Sequence, residues 1–427
     1  MQRRRVVITG MGLVTPLGLE LDSFWDHLIA GRSAVRRIER FDPSSYPTRI
    51  AAEVSGSLLE DCAPDLRDYG TIARFAATAA ATAIEDSCLL SKPADRSRIG
   101  VLVAAGLGSY DHEEVFASCA SAGSRRAGEF DWETFAKAVL QRLKSRSLER
   151  RSPGTVPSLI AHRHGFEGPV MTVMTACAAG AQALGDAARW IRSGLADVVV
   201  AGGSDSELYP MGLASFCMLG ALSTSNHDPT GASRPFDARR DGFVIGEGAG
   251  ISILEERSHA LKRGARIYAE VAGFGSACDA YRVTDPHPLG TGAVLSMRRA
   301  LKDASIAAGE VQYINAHGTS TQANDRIETF AIKNVLGDAA KKVAVSSTKS
   351  MIGHLTVAAG AVEAITTALT LFHQQIHPTI NLCDPDPDCD LDYVPNRPRI
   401  AEIRHALSNS FGFGGQCASL LLRRYEG

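Results

Sequence analysis

The chain has 427 residues, with 45 Lys+Arg against 47 Asp+Glu and a formal net charge of −2. Hydrophobic residues make up 45% and charged residues 22%, a globular composition that excludes disordered and fibrous classes. The even charge balance leaves no global basic field for nucleic acid and no polybasic membrane anchor.

Nine cysteines, an odd number with no CxxC pair, argue against a disulfide framework or a structural zinc site. The apolar run Val6 to Ile8 is too short for a signal peptide, and no stretch of about 20 strongly apolar residues is present. The expectation is a soluble, reduced, cytoplasmic protein without a bound metal.

In chain order, Val6 to Thr9 reads as a short strand running into Gly10-Met11-Gly12. Thr15 stands where a dinucleotide fingerprint needs its third glycine, so a strand and tight turn is the better reading. Ala73 to Ile84 is an Ala-rich helix, and Ile99 to Ala105 is a buried strand ending at Gly106-Leu107-Gly108. Residues 120–152 are polar, with Arg125, Arg126, Arg142, Lys144, Arg146, Arg150 and Arg151. They read as a solvated helix with loops, with a partner-docking face as the alternative. Val170 to Met174 is a further strand, followed by Thr175-Ala176-Cys177 and a helix over Ala178 to Ser193. Asp197 to Ala201 is a strand ended by Gly202-Gly203. Strands alternating with helices call for a parallel or mixed sheet covered on both faces.

The second half repeats the scheme. Ile267 to Ala272 leads to Gly273-Phe274-Gly275, Tyr313 to Asn315 leads to His317-Gly318, and Val343 to Ser346 precedes an apolar helix over Leu355 to Phe372. Ala178-Ala179-Gly180-Ala181 and Ala358-Ala359-Gly360-Ala361 match, each after a chemistry-bearing residue, which suggests a duplication.

Cys177 between strand and helix places its sulfur at a helix N-terminus, where unpaired N–H groups and the macrodipole favour a thiolate. Its own N–H then contributes to an oxyanion hole. The alternative is a buried small hydrophobe. His317 and His354 each follow a turn, with Gly318 and Gly353 beside them and Lys349 nearby. Gly412-Phe413-Gly414-Gly415 lets the Phe413 backbone approach a ligand closely, unless Phe413 is only a core residue of a hairpin. Asp384, Asp386, Asp388 and Asp390 lack the glycine and terminal Glu of a calcium loop and read as a solvated turn.

Taken together, Thr175-Ala176-Cys177, His317-Gly318-Thr319, Lys349-Ser350-Met351-Ile352-Gly353-His354 and Asn409-Ser410-Phe411-Gly412-Phe413-Gly414-Gly415 resemble β-ketoacyl-acyl carrier protein synthases, synthase II-like ketosynthases of type II fatty acid and polyketide systems. Ser233-Arg234-Pro235-Phe236-Asp237, Asp241-Gly242-Phe243 and Gly246-Glu247-Gly248-Ala249-Gly250 fit the same family. The resemblance implies an α/β thiolase fold, with two duplicated halves (1–260 and 261–427) in a five-layer αβαβα arrangement.

It also implies ping-pong chemistry. Cys177 takes an acyl chain, His317 and His354 stabilise the enolate formed as malonyl-carrier protein loses CO2, and Lys349 orients that half-site. Phe413 and Cys177 form the oxyanion hole, Phe413 also being the gate. Thr319, Thr321 and Thr284 contact pantetheine, and Glu328 and Glu363 are structural carboxylates. No cofactor is bound, the phosphopantetheine arriving on an acyl carrier protein. The implied partners are that carrier and a second subunit, in a homodimer or a heterodimer with a chain-length-factor-like subunit. The family's usual basic residues are missing around Arg67 and at Gly220, and the segment 109–163 is longer than usual. A thiolase using Cys417 as a second cysteine, and a non-catalytic partner subunit, are the competing readings.

Overall fold

The computed structural model describes residues 3–91, 94–106, 112–123, 130–142 and 152–427. Arg125, Arg126, Lys144, Arg146, Arg150 and Arg151 lie outside these, so most of the basic stretch does too.

Among the described residues, the main sheet takes five strands from the first half: β1 (Val6–Val14), β2 (Ile99–Ala105), β3 (Val170–Met171), β4 (Val198–Asp205) and β5 (Gly248–Glu256). Five come from the second: β6 (Ala269–Cys278), β7 (Tyr313–Asn315), β8 (Ala344–Ser346), β9 (His405–Gly412) and β10 (Gln416–Arg424). The ten-stranded sheet runs β8-β7-β9-β10-β6-β1-β5-β4-β2-β3. Each half therefore has the order third, second, fourth, fifth, first. The pairing sense repeats as well. β2 is parallel to β3 and β4, while β5 is antiparallel to β4 and β1. β7 is parallel to β8 and β9, while β10 is antiparallel to β9 and β6. The halves meet where Val7 pairs with Glu270 and Ile8 with Ala269.

The apolar core divides into layers that follow this repeat. Helices α1 (Gly70–Asp86) and α2 (Thr155–His164) cover the outer face of the first half. Helices α3 (Ala179–Ser193), α4 (Thr291–Ala304), α5 (Gln322–Leu336) and α6 (Ala359–His373) form the other helical layers. α3 and α6 lie in the middle against both halves, and α4 and α5 cover the outer face of the second. The result is an αβαβα stack. The segment Thr356–His373 is long and apolar enough to cross a membrane by composition, yet 89% of it is buried in this central layer.

Several strands run further than their sequence suggests. β1 continues through Gly10 and Gly12, and β6 through Gly273 and Gly275. These glycines permit close approach rather than a turn. A Cβ on Gly12 would lie 2.1 Å from the Ala79 carbonyl of α1, and one on Gly275 would lie 1.9 Å from the Ser296 carbonyl of α4. A glycine inside a strand marks such backbone contact. β4 likewise passes through Gly202 and Gly203 to Asp205, whereas β3 is only two exposed residues. The aspartate run is not a fully solvated turn. Asp386 accepts from Arg240 at 2.7 Å with its side chain 13% exposed, and Asp390 pairs with Lys333.

Candidate active site

Cys177 sits at the elbow between β3 and α3. The residue before it, Ala176, has φ 47, a left-handed conformation that non-glycine residues seldom adopt. The strain turns the chain sharply, so that Cys177 faces a cavity at the head of the central layer. Gly412 lies against this elbow, where a Cβ would fall 2.9 Å from the Cys177 nitrogen. The N–H groups of Phe413 and of Cys177 itself are directed at the sulfur.

The expected thiolate is not what these surroundings favour. Burial pushes the Cys177 thiol up to about 12, with Asp205 adding to the shift and Lys349 and the two N–H groups opposing it. A helix end offers partial charges, and loss of water costs a full charge more than they return. These surroundings favour the neutral thiol.

His317 follows β7. Its own N–H and that of Gly318 donate to the two oxygens of Glu328, at 2.9 and 2.8 Å, so one buried carboxylate sets the turn that carries the imidazole. Burial pushes Glu328 up to about 7, against those bonds. Lys349 ion-pairs with Glu363 and lies 3.4 Å from His317 Nδ1. An ammonium has only donors, so His317 Nδ1 accepts and the ring proton is on Nε2.

His354 reaches the same tautomer by another route. Its Nδ1 accepts the backbone N–H of Thr356 at 3.2 Å, which again leaves the proton on Nε2. The two rings lie 5.2 Å apart, edge to face. Burial, with the Lys349 charge behind it, holds both histidines well below the ordinary imidazole value. The site therefore presents two neutral N–H donors beside a thiol.

Cys177, His317, His354, Thr284, Thr319, Thr321 and Phe413 all line one cavity of about 320 Å³. Lys349, Glu328 and Glu363 stand behind it, each at most 2% exposed. Thr319 and Thr321 bond to each other at 2.9 Å, and Thr321 caps α5. Cys417 also reaches the wall, but it is 4% exposed, its thiol is pushed up by burial, and it donates to Gly415. Among the described residues, no cluster of three or more His, Cys, Asp or Glu is placed to hold a metal.

Three features escape a reading of the sequence. Phe411 and Phe243 pack on His317 and His354 at 5.7 and 5.2 Å. Asp279 accepts from His287 N–H and Thr291 Oγ1, at 3.0 and 3.1 Å, and so folds the loop carrying Thr284 onto the cavity. Asp205, at the end of β4, bonds across to the segment after His354. Its position at a strand's carboxyl end was the one available signal.

Residues 3–260 match the family model for the beta-ketoacyl synthase N-terminal domain, and residues 268–383 match that for the C-terminal domain. A 3-oxoacyl-[acyl-carrier-protein] synthase 2 of Coxiella burnetii is 43% identical over 428 residues, covering 99% of each chain. A ketosynthase solved with its type II polyketide acyl-carrier protein and bound to the hexaketide superposes with a TM-score of 0.89, at 36% identity and full coverage of both chains. The ishigamide ketosynthase/chain length factor superposes at 0.87, with 35% identity over 99% of this chain and all of the other. Matches to both domain models and to relatives along its whole length show that this chain belongs to the β-ketoacyl synthase family.

Proposed function

We propose that this chain is a 3-oxoacyl-acyl carrier protein synthase that condenses a Cys177-bound acyl chain with malonyl-carrier protein. The observation that carries the reading is the convergence of a thiol, two N–H groups directed at it, and two Nε2–H imidazoles on one cavity.

In the first half-reaction the Cys177 sulfur attacks the thioester carbonyl of an acyl-carrier protein. The carbonyl oxygen gains charge and accepts from the N–H groups of Cys177 and Phe413. The carrier's thiolate then leaves and takes up the proton that Cys177 has lost. In the second, malonyl-carrier protein places its thioester carbonyl against His317 and His354 Nε2–H. As the carboxylate departs as CO2, its bonding pair moves into an enolate whose oxygen both imidazoles stabilise. Neutral donors suit this step, because it removes no proton. The enolate carbon attacks the acyl-Cys177 carbonyl and expels the thiolate, giving 3-oxoacyl-carrier protein. Lys349 holds His317, and Glu363 and Glu328 hold Lys349 and the His317 turn.

Thr284, Thr319 and Thr321 supply hydroxyls along the path of the pantetheine arm, and Phe413 acts as the gate between the half-reactions. Nothing beyond that carrier-borne arm is required as cofactor. The chain works with an acyl carrier protein as a cytoplasmic dimer, each protomer dividing near residue 260. A second reading, the active subunit of a type II polyketide pair with a chain-length factor, is favoured by the fold's closeness to the ishigamide ketosynthase/chain length factor.

Intact-mass analysis after incubation with acyl-carrier proteins of several chain lengths tests both. One acyl group gained by the wild type and absent from Cys177→Ala supports the synthase. Acylation that appears only when a chain-length factor is added supports the second reading, and no adduct under either condition overturns both.

A further inference from the structure

Asp205 touches none of the reacting groups described above, yet it is 1% exposed and bonded across the two halves of the molecule. Its Oδ2 accepts from the Thr356 hydroxyl and from Val357 N–H at 3.0 Å, and its Oδ1 accepts from Ser206 N–H at 2.9 Å. The room for it is built in. A Cβ on Gly106 would fall 2.0 Å from Oδ1.

Thr356 has φ 49, a conformation that is costly for a β-branched residue and persists only when its surroundings impose it. Its hydroxyl and the amide after it are the two groups that Asp205 grips. Its own N–H is the donor to His354 Nδ1. The chain of contacts therefore runs from β4 of one half to the imidazole of the other.

We propose that Asp205 is a positioning residue: by clamping Thr356 in the left-handed conformation it keeps the Thr356 N–H on His354 Nδ1 and so sets the Nε2–H tautomer and aim of that ring. The tautomer is a property of the resting protein. Only its consequence for the reaction rests on the role given to His354 under Proposed function.

Nitrogen NMR of the full-length protein labelled in histidine reads the tautomer directly. The wild type shows His354 protonated on Nε2. In Asp205→Asn, one amide oxygen cannot serve all three donors, so the Nε2–H signature weakens or mixes with Nδ1–H. Decarboxylation of malonyl-carrier protein then falls about 10–100-fold, the scale of loss when a reacting group is misplaced by about 1 Å. Acylation of Cys177 is not slowed, since the Asp205 charge raises that thiol. Adding Thr356→Gly, which holds a positive φ without strain, restores decarboxylation in the Asp205→Asn background. Should Asp205→Asn not fold, Thr356→Val removes the hydroxyl donor at nearly constant shape and is expected to shift the same signal.

An unchanged His354 signature, equal loss of both half-reactions, or no rescue by Thr356→Gly overturns the proposal. A shifted signature with undiminished decarboxylation supports the clamp and overturns instead the role assigned to His354.

Discussion

Gly180 and Gly360 hold equivalent places on the two central helices, each pressed against the backbone of the other's neighbour. A Cβ on Gly180 would lie 2.7 Å from the Ala361 nitrogen, and one on Gly360 would lie 2.8 Å from the Ala181 nitrogen. The matched Ala-Ala-Gly-Ala segments are thus a crossing point. It draws the Cys177 end of α3 towards the chain that enters α6 from His354. Gly180→Val or Gly360→Val forces side-chain volume into this seam, and overpacking of a tight core costs roughly 1–3 kcal/mol. The urea midpoint of either variant should drop accordingly. A midpoint equal to that of the wild type would show that the seam yields.

The neutral thiol of Cys177 has a measurable signature. Because the group is pushed up to about 12, its thiolate fraction rises about tenfold per pH unit throughout the neutral range. Alkylation of Cys177 by iodoacetamide should therefore climb steadily between about pH 6 and 9 without levelling. Lys349→Met, which removes a charge that favours the anion, should slow alkylation at every pH. A plateau in the wild type below about pH 8 would mean that the N–H groups outweigh burial.

On the proposed mechanism, His317→Ala and His354→Ala each remove one donor to the enolate. Decarboxylation of malonyl-carrier protein should fall about 10²–10³-fold in each, the usual loss for one preorganised donor to a developing oxyanion. Acylation of Cys177 should persist in both. Parallel collapse of the two half-reactions in either variant would instead assign that histidine to the thiol.

Glu328 makes stability depend on pH in an unusual direction for a carboxylate. Its folded value of about 7 lies above the ordinary 4.5, so the folded state binds the proton more tightly. The stabilisation is complete below the unfolded value and is lost as pH rises through about 7. The size is on the order of 3 kcal/mol for a shift of this extent. Wild-type urea midpoints should thus fall as pH rises from about 5 to 8, and less steeply in Glu328→Gln. Equal slopes in the two proteins would remove Glu328 as the cause. Glu363, also raised to about 7 by burial, contributes with the same sign.

The order of strands and helices was legible because hydrophobic runs and turn residues report local structure, and so were the cysteine, the histidines and the threonines that the cavity gathers. Glycine misled. Gly10, Gly12, Gly202, Gly203, Gly273 and Gly275 read as strand ends, and each lies inside a strand. A sequence cannot distinguish a glycine needed for a positive φ from one needed for a helix at backbone distance, since the second requirement comes from a distant segment. The Asp386 carboxylate, read as solvated, is held by Arg240, which is 146 residues away along the chain.

By itself the sequence determined which cysteine, histidines and threonines would meet at one cavity, that Cys177 stands between strand and helix, and that the two halves share a pattern. Protonation was decided only by the tertiary structure. Local cues at Cys177 favour a thiolate, and packing from both halves desolvates the sulfur enough to push the thiol up. The tautomer of His354 likewise depends on Thr356, whose strained backbone is gripped by Asp205 from the other half. Spacing along the chain specifies which groups are available. Desolvation and the contacts between halves set the charge each one carries and where it points.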